Sequence, residues 1–186
     1  DSVPSRSYVE NQLAVLARHP NADSVAVIGG RPVEARLFPA ARGAVRDADA
    51  QSWREAKFAI TSGSLCRCDV LGKMGGFRND LFIDLVDVEY CLRLRQEGYR
   101  VIICEGATLC HQYGNTRVTR LGPFKVIRRL YPPARNYYRY RNAILLAGEW
   151  RGLEPAWALR RLIRLCRLTL NLILLHDRKT ENLRMA

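Results

Sequence analysis

Acidic residues are scarce in this sequence. Its 186 residues hold 18 Asp and Glu against 30 Lys and Arg, a formal net charge of +12. The excess of positive charge implies an anionic partner or surface. Methionine stands only at Met74 and Met185, so the first residue is not an initiator. The polar N-terminus lacks the apolar stretch of a secretory signal. The uncharged run Leu168 to Leu175 falls short of the about 20 residues that cross a bilayer. Paired Cys-x-x-Cys or His-x-x-x-His units are missing: the six cysteines include only the close pair Cys66-Arg67-Cys68, which does not match a zinc site. Cys91, Cys104 and Cys166 sit in apolar runs, where a reduced thiol serves as a small hydrophobe. No internal repeat appears. No zinc-finger, RNP or helix-turn-helix signature appears either, so nucleic acid is not expected as a partner.

What is present is enough apolar material for a core. Hydrophobic residues make up 48% of the chain, which excludes disorder by composition. The charge is unevenly placed. Residues 121–186 hold fourteen basic residues and four acidic ones, so ten of the twelve net positive charges fall there. A first domain over 1–120 and a basic helical extension over 121–186 are expected.

Periodicity predicts the elements. Ser7 stands as N-cap with Glu10 three residues on, ahead of a helix whose apolar face is Val9, Leu13, Leu16 and Ala17. Ser24 to Ile28 reads as a buried strand stopped by Gly29-Gly30. Residues 31–55 show no clean period and read as a loop. Lys57 to Thr61 reads as a short strand and Cys68 to Lys73 as a short helix. Asp84 to Glu97 reads as a helix closed by Gly98. Arg100 to Cys104 and Ala107 to Cys110 read as two strands. Strands alternating with helices make the class α/β. From Pro155 to Leu175 the pattern is amphipathic, with Arg160, Arg164, Arg167 and Asn171 on one face and Trp157, Leu162, Leu165, Leu168, Leu172 and Leu175 on the rest. An arginine-striped apolar helix with a tryptophan suits a membrane interface.

The segment Phe82-Ile83-Asp84-Leu85-Val86-Asp87-Val88-Glu89 carries the chemistry. Three carboxylates inside an apolar run are costly unless partnered or used. Helix spacing puts Asp84 and Asp87 on one face, with Asp84 at the helix start, and gives Glu89 a partner in Arg93 four residues on. A capped, salt-bridged helix explains this pattern as well as a catalytic one does.

The wider order of motifs separates the two. Thr61-Ser62-Gly63-Ser64 comes first, then Gly75-Gly76-Phe77, Phe82-Ile83-Asp84, Val86-Asp87-Val88-Glu89 and His111-Gln112-Tyr113-Gly114. Tyr137-Tyr138-Arg139-Tyr140-Arg141-Asn142 follows. In this order, over roughly Asp1 to Asn142, the chain resembles the acceptor-side half of the family 2 nucleotide-sugar glycosyltransferases. Within that family it is most similar to the rhamnosyltransferases. The resemblance implies the C-terminal part of a GT-A fold followed by basic amphipathic helices. It implies that Asp1 is the last Asp of an Asp-x-Asp motif, so that the nucleotide-binding half would precede this chain.

The same resemblance implies the roles. Asp87 is the expected base that takes the acceptor proton, and Asp84 stands in for a missing neighbouring acid, since Val86 occupies the place where many relatives have Glu. Asp1 and His111 are the expected ligands of a divalent Mg or Mn ion. Tyr113 and Arg117 would touch the diphosphate of a nucleotide-diphosphate sugar. Ser62, Gly63 and Asp80 would shape the sugar pocket. The expected activity is inverting transfer of a sugar, rhamnose above all, to a lipid-linked or polysaccharide acceptor in cell-surface glycan assembly. The expected location is peripheral, on the cytoplasmic face of the cell membrane. Galactofuranose or another hexose fits the same residues. A non-catalytic basic domain binding anionic lipid or nucleic acid is the reading of another class.

Overall fold

The structure is a computed structural model that describes residues 2–34, 52–111, 115–121 and 124–175. The chain divides into two compact units. One comprises Asp1–Phe77 and Asp87–Tyr113, the other Arg78–Val86 and Gly114–Ala186.

The first unit is built on β5, Arg100–His111, buried along nearly its whole length. One side of β5 pairs in parallel with β2, Val25–Glu34. The other side pairs antiparallel with β1, Ser2–Pro4, and with β3, Trp53–Glu55. The two-residue β4, Leu65–Cys66, closes the far edge of β2. Alternation along β5 sends side chains to opposite faces. Ile102, Cys104, Ala107 and Leu109 pack with Tyr8 and Val15 of α1, Tyr8–Arg18. Val101 and Ile103 pack with Val70 of α2, Cys68–Met74, and with Tyr90, Cys91 and Leu94 of α3, Val86–Gln96. A strand covered on both faces has no solvated side, which is why β5 is mostly apolar on both sides of Glu105-Gly106.

Several expected elements differ in detail. β2 is not stopped by its glycines. It runs through Gly29 and Gly30, with a register irregularity after Gly30. A Cβ on Gly30 would lie 2.1 Å from the Tyr8 hydroxyl, and one on Gly29 would lie 2.9 Å from the Ala59 Cβ. The glycines are there for close approach rather than for termination. Lys57–Thr61 is not a strand; the local strands are β3 and β4. The two strands expected around residues 105–106 are one, β5. Of the expected loop at 31–55, residues 35–51 lie outside the described part.

Helix α1 starts after Ser7 as expected, but no side-chain cap hydrogen bond forms there. The expected apolar face is also wrong, because Val9 and Leu13 are exposed. The buried face is Tyr8, Asn11, Gln12 and Val15. Its amides have backbone partners: Asn11 Nδ2 donates to the Gly106 carbonyl at 2.9 Å, and Gln12 Nε2 donates to those of Ile28 and Gly63 at 3.2 and 3.0 Å. Hydrogen bonding to buried carbonyls compensates the burial of polar side chains.

Helix α3 begins at Val86, not at Asp84. Asp84 and Leu85 have φ of 66° and 67°, a left-handed backbone that no α-helix contains. The helix start at Asp84 and the shared helical face of Asp84 and Asp87 are therefore not formed. At its other end α3 closes as expected. Tyr99 N donates to Leu94 O and Gly98 N to Arg95 O, with Gly98 at φ 82°. This is the paired-bond ending that a left-handed glycine permits.

The second unit holds the hairpin of β6, Asn115–Leu121, and β7, Phe124–Leu130. Its helices are α4, Pro133–Trp150, and α5, Pro155–Leu175. Tyr140 and Ala143 of α4 pack with Leu165 of α5, and Leu85 and Leu168 border them. Thr169 Oγ1 donates to the Tyr140 hydroxyl at 3.1 Å. Helix α5 spans the residues that periodicity predicts. Its faces are sorted differently, because Trp157, Ala158 and Leu165 are buried. Among the described residues no helix is long and apolar enough to cross a membrane. Of the three cysteines expected inside, Cys91 and Cys104 are buried and Cys166 is exposed. Burial pushes the Cys91 thiol up to about 11.

Candidate active site

In the first unit, the Thr61–Ser64 segment is a turn in which Ser64 N donates to Thr61 O at 3.2 Å. Gly63 occupies its third position at φ 71°, which L side chains rarely adopt. Ser62 is exposed on this turn. The Gln12 amide holds the Gly63 carbonyl from the far side. The Tyr8 ring also lies against Gly63, because a Cβ there would meet its hydroxyl at 2.5 Å. Two of the three expected pocket residues, Ser62 and Gly63, thus sit on a turn braced by α1.

Asp87 stands in the first turn of α3, half-buried, and its Oδ1 accepts from Val88 N at 2.9 Å. The helix behind it is anchored by Glu89. That side chain is 2% exposed and pairs with Arg93, Oε1 to Nε at 2.7 Å and Oε2 to Nη2 at 3.0 Å. Arg93 also donates to the backbone carbonyls of Met74 and Gly76. Two separate motifs meet here. The Gly75-Gly76 turn, with φ of 75° and 69°, presents its carbonyls to the arginine that neutralises the Glu of Val-Asp-x-Glu. The sequence pairing of Glu89 with Arg93 is confirmed, but the pair is buried rather than a surface bridge.

His111 ends β5, opposite Ser2 in the register with β1, and its Nδ1 shares a hydrogen bond with Ser2 Oγ. Asp1 lies outside the described residues, as does Tyr113. Among the described residues no group of three or more His, Cys, Asp or Glu side chains could hold a metal ion. The described side chains therefore do not make a complete metal site by themselves. Arg117 lies on β6 opposite Arg128, with its side chain outside the described part.

In the second unit, α4 holds residues 80–85 in a strained shape. Phe82 has φ 57° and ψ −62°, and Ile83 N donates to Leu81 O at 2.6 Å, which makes a γ-turn of the rare positive-φ kind. Phe82, Asp84 and Leu85 all have positive φ. Such backbone persists only where its surroundings over-determine it. Asn142 does this: fully buried, it presents one amide nitrogen to the carbonyls of Leu81, Ile83 and Asp84 at 2.8–2.9 Å. Two hydrogens are shared among these three acceptors. Arg141 Nη1 donates to the Asp80 carbonyl at 2.7 Å.

Asp84 Oδ2 accepts from Arg135 Nε at 3.0 Å. Arg135 and Arg139 both stack on the Tyr131 ring, each 4.7 Å from its centroid. Burial pushes the Arg139 guanidinium down, while the Asp84 carboxylate pulls it up. Arg78 bridges Asp80 and Glu149 at 2.7 Å each, and it holds the Asp80 carboxyl below the usual carboxylate range. Asp84 and Asp80 thus belong to the second unit, whereas Asp87, Ser62, Gly63 and His111 belong to the first. Sequence reasoning missed Arg135, Asn142 and Phe82 as parts of this arrangement. The Tyr-Tyr-x-x-Arg-Asn segment over residues 137–142 was the available signal for Asn142.

No family model matches the chain, and no solved structure matches it. Among curated proteins it is similar to the dTDP-rhamnosyl transferase RfbF of Shigella flexneri, with 35% identity over 92 residues. The match takes in 50% of this chain and 30% of that protein, so the chain spans well under two thirds of the relative. The similarity supports a glycosyltransferase relationship.

Proposed function

We propose that this chain serves an inverting glycosyltransferase that moves a sugar, rhamnose in the first instance, from a nucleotide-diphosphate donor to a lipid-linked or polysaccharide acceptor. The observation that carries this reading is the similarity to a dTDP-rhamnosyl transferase. In the reaction the Asp87 carboxylate takes the proton of an acceptor hydroxyl. The acceptor oxygen bonds to the anomeric carbon from the face opposite the leaving nucleoside diphosphate, so the configuration inverts. The braced Ser62-Gly63 turn and Asp80 contribute to sugar recognition, and Tyr113 and Arg117 to the diphosphate. A divalent Mg or Mn ion, with Asp1 and His111 among its ligands, would supply positive charge to the leaving diphosphate.

Incubating the full-length protein with dTDP-rhamnose and, separately, with a uridine-diphosphate galactofuranose tests the donor. Release of thymidine diphosphate is the expected result. Release from the uridine donor alone would transfer the reading to galactofuranose, and release from neither would end it.

The second part of the proposal concerns α5. Its outward residues form two adjacent stripes at helical spacing. Leu159, Leu162, Ile163 and Leu170 are exposed apolar side chains, and Arg160, Arg164 and Arg167 are exposed beside them. Trp157 and Leu165, being buried, cannot serve as the membrane anchors that the sequence pattern suggests. The sorting of leucine and arginine into neighbouring stripes fits a helix lying on an anionic membrane, on the cytoplasmic face, where nucleotide-sugar donors are held. Each such arginine contributes about 1 kcal/mol near an anionic surface. In flotation with vesicles of phosphatidylglycerol and phosphatidylcholine, the full-length protein should rise with the lipid. Changing Arg160, Arg164 and Arg167 together to Glu should leave it at the bottom. A triple variant that floats like the parent refutes the interfacial role.

A further inference from the structure

The second unit carries an exposed aromatic cluster that the transfer chemistry does not use. Phe82 is 72% exposed, the most exposed large hydrophobic side chain among the described residues. Its ring lies 5.0 Å from that of Tyr138, and Tyr138 lies 5.2 Å from Tyr137, which is itself exposed. Packing gives no reason for this placement. A phenylalanine at φ 57° is strained, and its ring gains little burial in return. The fully buried Asn142 amide nevertheless holds the surrounding carbonyls in place, so the ring is kept out in solvent by construction. An unused strain of this kind, with an aromatic ring at its apex, points to a ligand.

The surroundings decide what kind. Tyr138 is flanked on its own helix face by Arg135 and Arg141, three residues before and after it. Arg135 pairs with Asp84, two residues beyond Phe82. The rings are therefore bordered by a carboxylate and two guanidinium groups rather than by aliphatic side chains. Asp84 and Arg135 pair with each other, and an acyl chain or an apolar protein surface would bury that pair without partners for its remaining lone pairs and N–H groups. A pyranose has the complementary surface: one face of C–H bonds that stacks on an aromatic ring, and a rim of hydroxyls that donate to a carboxylate and accept from guanidinium.

We propose that Phe82 and Tyr138 form a stacking platform for a sugar ring of the acceptor glycan, with Asp84 and Arg135 on its hydroxyl rim. The inference rests on the glycosyltransferase reading for the identity of the glycan as acceptor. The platform itself is a carbohydrate subsite whether or not that reading holds.

The test uses the full-length protein and three soluble probes: methyl α-L-rhamnopyranoside, methyl β-D-galactopyranoside and methyl N-acetyl-β-D-glucosaminide. Saturation-transfer NMR should show contact with at least one of them through its ring C–H protons. Phe82→Gly relieves the backbone strain and removes the ring, so its thermal midpoint should not fall, while the affinity for the bound glycoside should drop by about tenfold. Phe82→Tyr should retain binding. Equal binding by parent and Phe82→Gly, or no binding of any probe, overturns the proposal. Release of thymidine diphosphate from dTDP-rhamnose, with water as acceptor, is measured on the same preparations. If release persists while sugar binding ignores Phe82, the platform fails and the transferase reading stands. If Phe82-dependent binding persists without release from any donor, the transferase reading fails and the platform stands.

Discussion

Asp87→Asn in the full-length protein is expected to lower turnover by at least ~10²-fold, the lower range for losing a positioned general base. Asp87 stands at the opening turn of α3, half-buried, with Oδ1 accepting the Val88 amide. One oxygen is thereby oriented by the backbone. Asparagine is nearly isosteric, and its carbonyl oxygen can accept the same amide bond, so the helix start should survive. It cannot take a proton at neutral pH. The loss should therefore appear in the rate of nucleoside diphosphate release at saturating donor and acceptor, with circular dichroism and thermal midpoint unchanged. Near-parental turnover would remove Asp87 from the role and shift it to Asp84. Asp84 would then have to give up the bond that its Oδ2 accepts from Arg135.

The comparison of Asp84 with Asp87 shows what a sequence can and cannot reveal here. Helical spacing places both on one face, but the helix begins only at Val86. The left-handed backbone at Asp84 and Leu85 comes from hydrogen bonds supplied by Asn142, more than fifty residues away. No local propensity records such a partner. The glycines of β2 misled for a related reason. Gly29-Gly30 reads as a strand end, yet its purpose is to admit Tyr8 and Ala59, which belong to other elements. The polar buried face of α1 was illegible because Gln12 and Asn11 are core residues only once the carbonyls of Ile28, Gly63 and Gly106 are near. What was legible depended on local rules. The Gly98 ending of α3, the span of α5 and the Glu89–Arg93 spacing all follow from short-range pattern.

Of the site residues, those on described backbone fall into separate groups. Ser62 and Gly63 occupy a braced turn, and His111 ends the central strand beside Ser2. Asp80 is taken up by Arg78, an engagement that spacing alone did not suggest. The motif Val-Asp-x-Glu thus contains two different kinds of acid. Asp87 is half-buried and oriented by the Val88 amide, while Glu89 is sealed by Arg93.

That difference sets the second large expectation. Arg93→Met should destabilise the protein by about 3–5 kcal/mol, as breaking a buried pair by removing one partner does. The reason is specific to the arrangement. Methionine fills the volume of the arginine stem but leaves the Glu89 carboxylate, 2% exposed, without its guanidinium. It also leaves the Met74 and Gly76 carbonyls without the donors that tie the Gly75-Gly76 turn to α3. Denaturant unfolding of the full-length protein followed by circular dichroism measures the loss. The double change Glu89→Gln with Arg93→Met should recover part of the stability, because a neutral amide costs less to bury than an unpaired carboxylate. If Glu89 instead served the chemistry directly, Glu89→Gln alone would abolish turnover while leaving the unfolding midpoint in place. The buried pair requires the opposite order of effects: Glu89→Gln lowers the midpoint, and activity measured well below that midpoint changes far less than it does in Asp87→Asn.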